Sequence, residues 1–280
     1  MKNVKRIIVM VVFCLAFVYA GSYNVQASQK VLYDSEKGLN QTKLIDITGD
    51  GKKDTIKFRS KMKCVDWIDT FSISVNGKKA FSANKNYDFI YRVTYLRQSS
   101  KNIFLYIESH GNNYDSAVSA VYKYDRKTKK LVKVLTLESQ VENSTQWIGV
   151  SHIASSVLMN KGRLKVIYDG QLDAFGRVKW TKTYTYNGKK FVEDKAAVAA
   201  TGKKYYMPLF PKAGEVPVFE DLKGTQFFKL VPGKKIKILK ICKYKKAGTY
   251  GYYVLVSQGT KTGWIWSGYI DIFKNVILCG

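Results

Sequence analysis

The chain has 280 residues, and its 47 Lys and Arg against 21 Asp and Glu give a formal net charge of +26. Seven of the basic residues are Arg, which argues against specific nucleic-acid recognition because phosphate and base readout favour the Arg fork. Two His and four Cys offer no spacing for the usual Cys/His zinc site.

The first 27 residues resemble a secretory signal in their order of charge and hydropathy. Lys2, Lys5 and Arg6 precede an apolar run over residues 7–20, and Ala27 ends a small-residue cleavage site. An uncleaved anchor is the alternative, but this run is shorter than the roughly 20 residues that span a bilayer. We expect cleavage before residue 28, a secreted or cell-wall-associated protein, and no membrane span in what remains.

The excess of positive charge belongs to the mature chain. Loss of the three signal-peptide cations lowers the formal charge from +26 to +23. A field of this size concentrates anionic polymers, such as wall teichoic acids, host glycans or anionic lipid head groups. The alternative is that dispersed lysines keep a tyrosine-rich β protein soluble and protect its sheet edges.

Residues 28–195 show the period of two that is typical of β-strands. Three units of about 45 to 60 residues repeat one plan, a strand followed by a loop and a hairpin, and the hairpin turns are at Asn76-Gly77, 125–128 and Asn187-Gly188. No window shows a helical stripe. We predict an all-β fold with an N-terminal antiparallel β-repeat domain: a meander, a sandwich or a partial propeller.

The segment from Asp46 to Asp54 places oxygen ligands at loop positions 1, 3, 5 and 9, with Gly51 at position 6. It resembles the D-x-D-x-D-G-x-x-D loop of FG-GAP and VCBS repeats, and the resemblance implies calcium held between two strands. The implied ligands are Asp46, Thr48, Asp50, Lys52 through its carbonyl group, and Asp54. The alternative is a turn whose Asp side chains cap their own backbone.

A linker is expected over 196–204, where small residues interrupt the alternation, followed by a second domain over 205–280. Gly233 leads into one strand, 252–256 forms another, and Gly263-Trp264-Ile265 is followed by Gly268-Tyr269-Ile270. This pattern resembles the bacterial SH3-type domain (SH3b). The resemblance implies a small β-barrel that recognises peptidoglycan peptides, and Lys243 to Gly251 is predicted to be an insertion.

Aromatic and basic side chains of this region are the candidate ligand contacts. Aromatic faces suit a peptide or a sugar, and a basic cluster attracts acidic groups. The predicted contacts are Tyr252, Trp264, Trp266, Tyr269, Lys243, Lys245 and Lys246. Trp264 has an alternative role as the core residue of a small barrel. Cys242 and Cys279 both lie in the C-terminal segment, so a disulfide between them is one alternative and two unpaired thiols are the other.

No motif for catalysis has a supporting context in this sequence. There is no G-x-S-x-G or H-E-x-x-H, and Cys64 with His110 or His152 lacks a predicted helix start for a nucleophile. We therefore expect an exported, non-catalytic protein that docks on peptidoglycan or an anionic wall polymer. The alternatives are a wall hydrolase with its active site in 28–195 and a host-facing adhesin.

Overall fold

The computed structural model describes residues 28–64, 67–88, 90–110, 119–137, 152–172, 174–194, 197–199, 204–206, 216–222, 225–246 and 249–267. Over these ranges the secondary structure is β-strand, apart from a short 3-10 turn at Ser35–Lys37, and all strand pairs are antiparallel. The predicted all-β class is confirmed. Within the same ranges, no helix has the length and hydropathy needed to cross a membrane. The predicted signal lies outside them.

The strands are numbered in chain order. Their bounds are β1 (Ser28–Asp34), β2 (Asn40–Ile45), β3 (Asp54–Cys64), β4 (Trp67–Val75), β5 (Lys78–Asp88), β6 (Ile90–Arg97), β7 (Ile103–His110), β8 (Ser119–Asp125), β9 (Lys130–Thr136), β10 (His152–Asn160), β11 (Arg163–Leu172), β12 (Gly176–Tyr186), β13 (Phe191–Glu193), β14 (Ala197–Ala199), β15 (Lys204–Tyr206), β16 (Pro217–Phe219), β17 (Gln226–Lys229), β18 (Lys235–Lys246), β19 (Thr249–Gln258) and β20 (Lys261–Trp266).

Three four-stranded meanders make up the N-terminal region: β2-β3-β4-β5, β6-β7-β8-β9 and β10-β11-β12-β13. They correspond to the three predicted repeat units, each extended by a strand. The second meander also carries β1, which pairs with β6 from Ser28↔Arg97 to Asp34↔Arg92. The turns at Asn76-Gly77 and Asn187-Gly188 connect strands as predicted, and Asn76 has the positive φ of 49° that such a turn requires.

The second meander is the central layer. All residues from Ile103 to Ser109 are buried, because alternate side chains of β7 enter two different cores. Leu105 and Ile107 join a cluster with β2–β5, whereas Phe104 and Tyr106 join a cluster with β10–β13. A strand buried on both faces loses the apolar-polar alternation of a surface strand.

The C-terminal strands form one sheet in the order β14-β18-β19-β20-β16-β17, with β15 also paired to β18. Over the described residues this sheet is open and does not close on itself, which differs from the barrel that the SH3-type resemblance implied. The predicted insertion at Lys243 to Gly251 is the end of the β18–β19 hairpin, paired from Lys243↔Tyr252 to Lys246↔Thr249. The predicted linker, 196–204, contains β14, which pairs with Lys240–Cys242.

The C-terminal sheet shares a core with β10–β13. Its buried Val218, Ile238 and Val254 belong to the same apolar cluster as Trp180. The rings of Trp180 and Tyr252 have centroids 5.8 Å apart, and the Ala174 N–H donates to the Ser267 carbonyl oxygen at 2.9 Å. The two predicted domains are therefore joined by packing as well as by the chain.

Candidate functional site

The acidic loop between β2 and β3 is folded around the side chain of Asp46. Its Oδ1 accepts from the N–H groups of Gly49 at 2.6 Å and Asp50 at 3.2 Å, and its Oδ2 accepts from Gly51 at 2.9 Å. Gly49 and Gly51 both have positive φ, as a tight turn of this kind requires. The carboxylate therefore satisfies the N–H groups that the turn directs inward.

Asp54 closes the other end of the loop and is buried. Its Oδ2 accepts from the N–H groups of Ile47 and Thr48, each at 3.0 Å, and its Oδ1 accepts from Asn76 Nδ2 at 2.7 Å. Asn76 Oδ1 in turn accepts from the Thr55 N–H at 2.8 Å. The loop is thereby fastened to the β4–β5 hairpin turn.

Asp50 and Lys52 lie at the exposed tip of the loop. The Lys52 N–H donates to Asp50 Oδ1 at 2.8 Å, and this bond, with a smaller contribution from the positive charge of Arg126, lowers the pKa of Asp50. Arg126, from the β8–β9 turn, donates to the Thr48 carbonyl oxygen through Nε at 2.6 Å and also through Nη2. A cation from the neighbouring sheet is thus held against the acidic loop.

A pocket of about 250 Å³ opens beside this loop, where the β4–β5 and β8–β9 turns meet. Its lining includes Lys78, Arg126, Lys129 and the hydroxyl-bearing Tyr124, together with Asp50 and Asp54. Burial, followed by the negative charge of Asp54, raises the pKa of Tyr124. The pocket therefore contains charges of both signs.

The predicted calcium ligands are close in sequence, but their oxygens are directed at N–H groups. Both oxygens of Asp46 and both of Asp54 accept hydrogen bonds, and Thr48 Oγ1 is directed toward Asp46 Oδ1 at 3.5 Å. In the part of the chain that the structure describes, no three His, Cys, Asp or Glu side chains are grouped so as to hold a metal ion. The donor set in this arrangement fits a capped turn better than a calcium site.

In the C-terminal sheet, Trp264 and Trp266 lie on the same face of β20 and are each partly exposed. The buried residues Gly263, Ile265 and Ser267 alternate with them on the opposite face. Gly263 has no room for a side chain, because a Cβ there would lie 2.4 Å from Val218 Cγ1 and 2.9 Å from the Phe219 carbonyl oxygen. This close approach brings β16 alongside β20, where Phe219 pairs with Trp264.

Register places further residues on the same face as the two tryptophans. Leu255 pairs with Trp264, Tyr253 pairs with Trp266, and Lys240 pairs with Leu255. Tyr253 and Leu255 are partly exposed and Lys240 is exposed. We name Tyr253, Leu255, Trp264, Trp266 and Lys240 the aromatic face.

The other predicted contacts are placed differently. Tyr252 is 5% exposed and packs on Trp180 on the opposite, core-facing side of the sheet. Lys243, Lys245 and Lys246 belong to β18, and their backbones pair with β19 near the end of the hairpin. Tyr269 lies outside the described residues, as does Cys279. Burial raises the pKa of the Cys242 thiol, which is 4% exposed.

Three members of the aromatic face, Tyr253, Leu255 and Lys240, were not predicted. The signal was present in the alternation of 252–256, where Tyr253 and Leu255 must take the opposite side from Tyr252 and Val254. Lys240 was harder to place because the β18–β19 register shifts between Ile238 and Lys240. Such a bulge reverses the face assignment of every residue beyond it.

Comparison with known proteins adds no family assignment. No protein-family model matches the chain, and neither a curated protein nor a solved structure shows significant similarity to it. The resemblances to the SH3-type domain and to the calcium loop therefore stay predictions from the residues that carry them.

Proposed function

We propose that this is an exported, non-catalytic protein that docks on the bacterial cell wall, on peptidoglycan or on an anionic wall polymer, through its C-terminal sheet. The observation that carries the proposal is the aromatic face, where two tryptophans, a tyrosine and a leucine lie beside Lys240. Partly exposed aromatic rings offer rigid apolar area to a sugar or a peptide at low entropic cost, and the ammonium group adds attraction for an acidic group.

The charge and the amino-terminal signal pattern support the same proposal. Lys229, Lys234, Lys235 and Lys237 are exposed in the C-terminal sheet and its turns, as is Lys261 in β20. Lys261 Nζ also lies 5.6 Å from the centroid of the Phe228 ring. A surface with this excess of positive charge speeds encounter with polyanions and makes binding sensitive to salt.

Sedimentation with purified cell walls tests the proposal. We expect the protein to pellet with the walls without releasing dye from labelled peptidoglycan, since the proposed role is binding alone. Trp264→Leu/Trp266→Leu should reduce pelleting about tenfold, whereas the exposed neighbour Thr262→Ala should leave it unchanged. Thermal unfolding of each variant shows whether the fold is retained.

Walls stripped of teichoic acids separate the two ligand classes. Pelleting that persists on stripped walls and depends on Trp264 and Trp266 assigns peptidoglycan, and pelleting lost on stripped walls assigns the anionic polymer. Dye release by the wild-type protein would contradict the proposal in favour of a hydrolase. Binding to a heparin-type glycan but to neither wall preparation would contradict it in favour of an adhesin.

A further inference from the structure

A second surface lies far along the chain from the aromatic face, on the solvent side of the β2–β5 meander. Alternate residues of β3 project from it, namely Lys57, Arg59 and Lys61, and all three are exposed. The residues that alternate with them, Ile56, Phe58 and Ser60, are buried on the other side of the strand. Because successive side chains of a strand point to opposite faces, the three cations form a row on the outward face of β3.

Register places small polar residues on both sides of this row. Lys57 lies opposite Thr42 and Ser74, Arg59 lies opposite Asn40 and Ser72, and Lys61 lies opposite Thr70. Beyond β4, Ser74 pairs with Lys79 and Ser72 pairs with Ser82. We name these ten residues the basic face: Asn40, Thr42, Lys57, Arg59, Lys61, Thr70, Ser72, Ser74, Lys79 and Ser82.

The basic face has four cations and no carboxylate at its ten positions. No ion pair within the described residues joins Lys57, Arg59 or Lys61 to an acidic side chain; the ion pairs that occur there involve Arg92, Arg163, Lys179 and Lys182. Asp69, the one acidic residue of β4, lies at the bulge between Ile68 and Thr70. The positive charge of the row is therefore not neutralised by described neighbours.

Protection of a sheet edge does not explain the row. Lysines guard β-sheets at their edge strands, but β3 lies inside its sheet, between β2 and β4. Three like charges on alternate residues repel one another, at a spacing of about 6.7 Å along the strand. A local arrangement that opposes folding without a compensating contact is typical of a functional surface.

We propose that the basic face binds a linear phosphodiester polymer that carries no bases. The row is one cation wide and about 13 Å long, and hydroxyl and amide groups flank it on both sides. This shape fits a chain whose charges lie in its own backbone, with neighbouring hydroxyls donating to phosphate oxygens. Sulfated glycans carry charges on both sides of wide rings, and proteins that bind single-stranded nucleic acids use aromatic stacking partners, which the ten positions do not supply.

The site is separate from the aromatic face and does not depend on the proposed wall docking through the C-terminal sheet. The basic face gives the N-terminal region a ligand of its own, whereas the proposed wall docking involves only the C-terminal sheet. A chain of phosphates crossing β3 would neutralise Lys57, Arg59 and Lys61 together. Binding should then release several counterions and weaken steeply as salt rises.

The test is binding of the purified protein to synthetic poly(glycerol phosphate) over a series of salt concentrations. Lys57→Gln/Arg59→Gln/Lys61→Gln should raise Kd about tenfold or more near 0.1 M salt, and should reduce the slope of log Kd against log salt by about two. The matched control is Lys165→Gln/Lys189→Gln/Lys190→Gln. It removes the same charge from exposed positions of the β10–β13 sheet and should change Kd less than about threefold.

A second variant tests the surface without removing any cation. Ser72→Asp sets a carboxylate opposite Arg59, so it should weaken binding to poly(glycerol phosphate) more than Ser72→Ala, which removes only one hydroxyl donor. Unfolding temperatures measured alongside show whether each variant folds. Comparison with Trp264→Leu/Trp266→Leu separates the two sites. Binding that depends on Lys57, Arg59 and Lys61 supports the basic face, whereas binding that depends on the two tryptophans belongs to the proposed wall docking.

Three results would overturn the proposal. Equal losses in the two triple variants would mean that net charge alone attracts the polymer. Tighter binding of heparin or of single-stranded DNA than of poly(glycerol phosphate), with dependence on Lys57, Arg59 and Lys61, would assign the basic face to a different partner. Absence of binding to poly(glycerol phosphate) at low salt would remove the site altogether.

Discussion

Gly263 and Val218 approach so closely that a Cβ on the glycine would lie 2.4 Å from Val218 Cγ1. The contact joins β20 to β16 next to the aromatic face. Gly263→Ala must push β16 away, and we expect it to lower the free energy of unfolding by about 2–3 kcal/mol. Urea denaturation measures this loss. The adjacent, exposed Thr262→Ala is the control, and an unchanged midpoint for Gly263→Ala would contradict the packing described here.

The turn at Asn76 should be sensitive to substitution for two separable reasons. Asn76→Ala loses the hydrogen bonds to Asp54 and Thr55 and places alanine at a positive φ, so we expect a loss of about 2–3 kcal/mol. Asn76→Gly loses the same hydrogen bonds without the backbone strain, so its loss should be about 1 kcal/mol smaller. Equal losses in the two variants, measured by urea denaturation, would show that the backbone conformation contributes nothing.

A buried pair of tyrosines predicts the alkaline behaviour of the fold. The hydroxyl oxygens of Tyr168 and Tyr184 lie 2.8 Å apart, and burial raises the pKa of Tyr184 from 10.0 to about 12. Burial also raises the pKa of Tyr168. Above pH 10 the unfolded chain releases protons that the folded chain retains, so stability present below pH 10 is lost as the pH rises toward 12.

Replacement of both tyrosines isolates this effect. Tyr168→Phe/Tyr184→Phe removes both hydroxyls together, so its stability at pH 7 should stay within about 1 kcal/mol of the wild type. Between pH 10 and 12 it should lose less stability than the wild type, as measured by urea denaturation at each pH. Parallel curves for the two proteins over that interval would refute the assignment.

Calcium distinguishes the two interpretations of the acidic loop. A ligand that binds only the folded state raises the unfolding temperature. We expect millimolar calcium to leave that temperature unchanged, because the oxygens of Asp46 and Asp54 already accept hydrogen bonds from N–H groups and from Asn76. A rise of several degrees that disappears in Asp50→Asn would instead support the calcium prediction.

Local patterns in the sequence were sufficient for the three hairpins of the N-terminal region and for the strand before each. The alternation around Phe71 and Phe191 and the Asn-Gly turns at 76 and 187 predicted hairpins that the structure contains. The row at Lys57, Arg59 and Lys61 was not predicted, although its cations alternate with Phe58 and Ser60 in the sequence. These features depend on residues close in the chain, where side-chain period and turn chemistry decide the outcome.

Pairing between distant segments was not predictable in the same way. Nothing local to Tyr33 indicates that its strand joins β6 some 60 residues later, at Tyr33↔Val93. Nothing local to Arg126 indicates that it donates to Thr48 in another sheet. The predicted contacts also combined the two faces of the C-terminal sheet. They placed Tyr252 together with Trp264, although the alternation of β19 and the register with β20 put these two side chains on opposite faces.

The contact between Trp180 and Tyr252 bears on how strongly the C-terminal sheet resists being pulled away from β10–β13. If a polymer is held at the aromatic face as proposed, it would pull on a sheet whose reverse side is buried against β10–β13. Separating the two parts requires exposure of apolar surface on both, so resistance comes from burial over an area and not from the short chain segment between them. Force on the C-terminal sheet would therefore be transmitted to β10–β13 through this shared core.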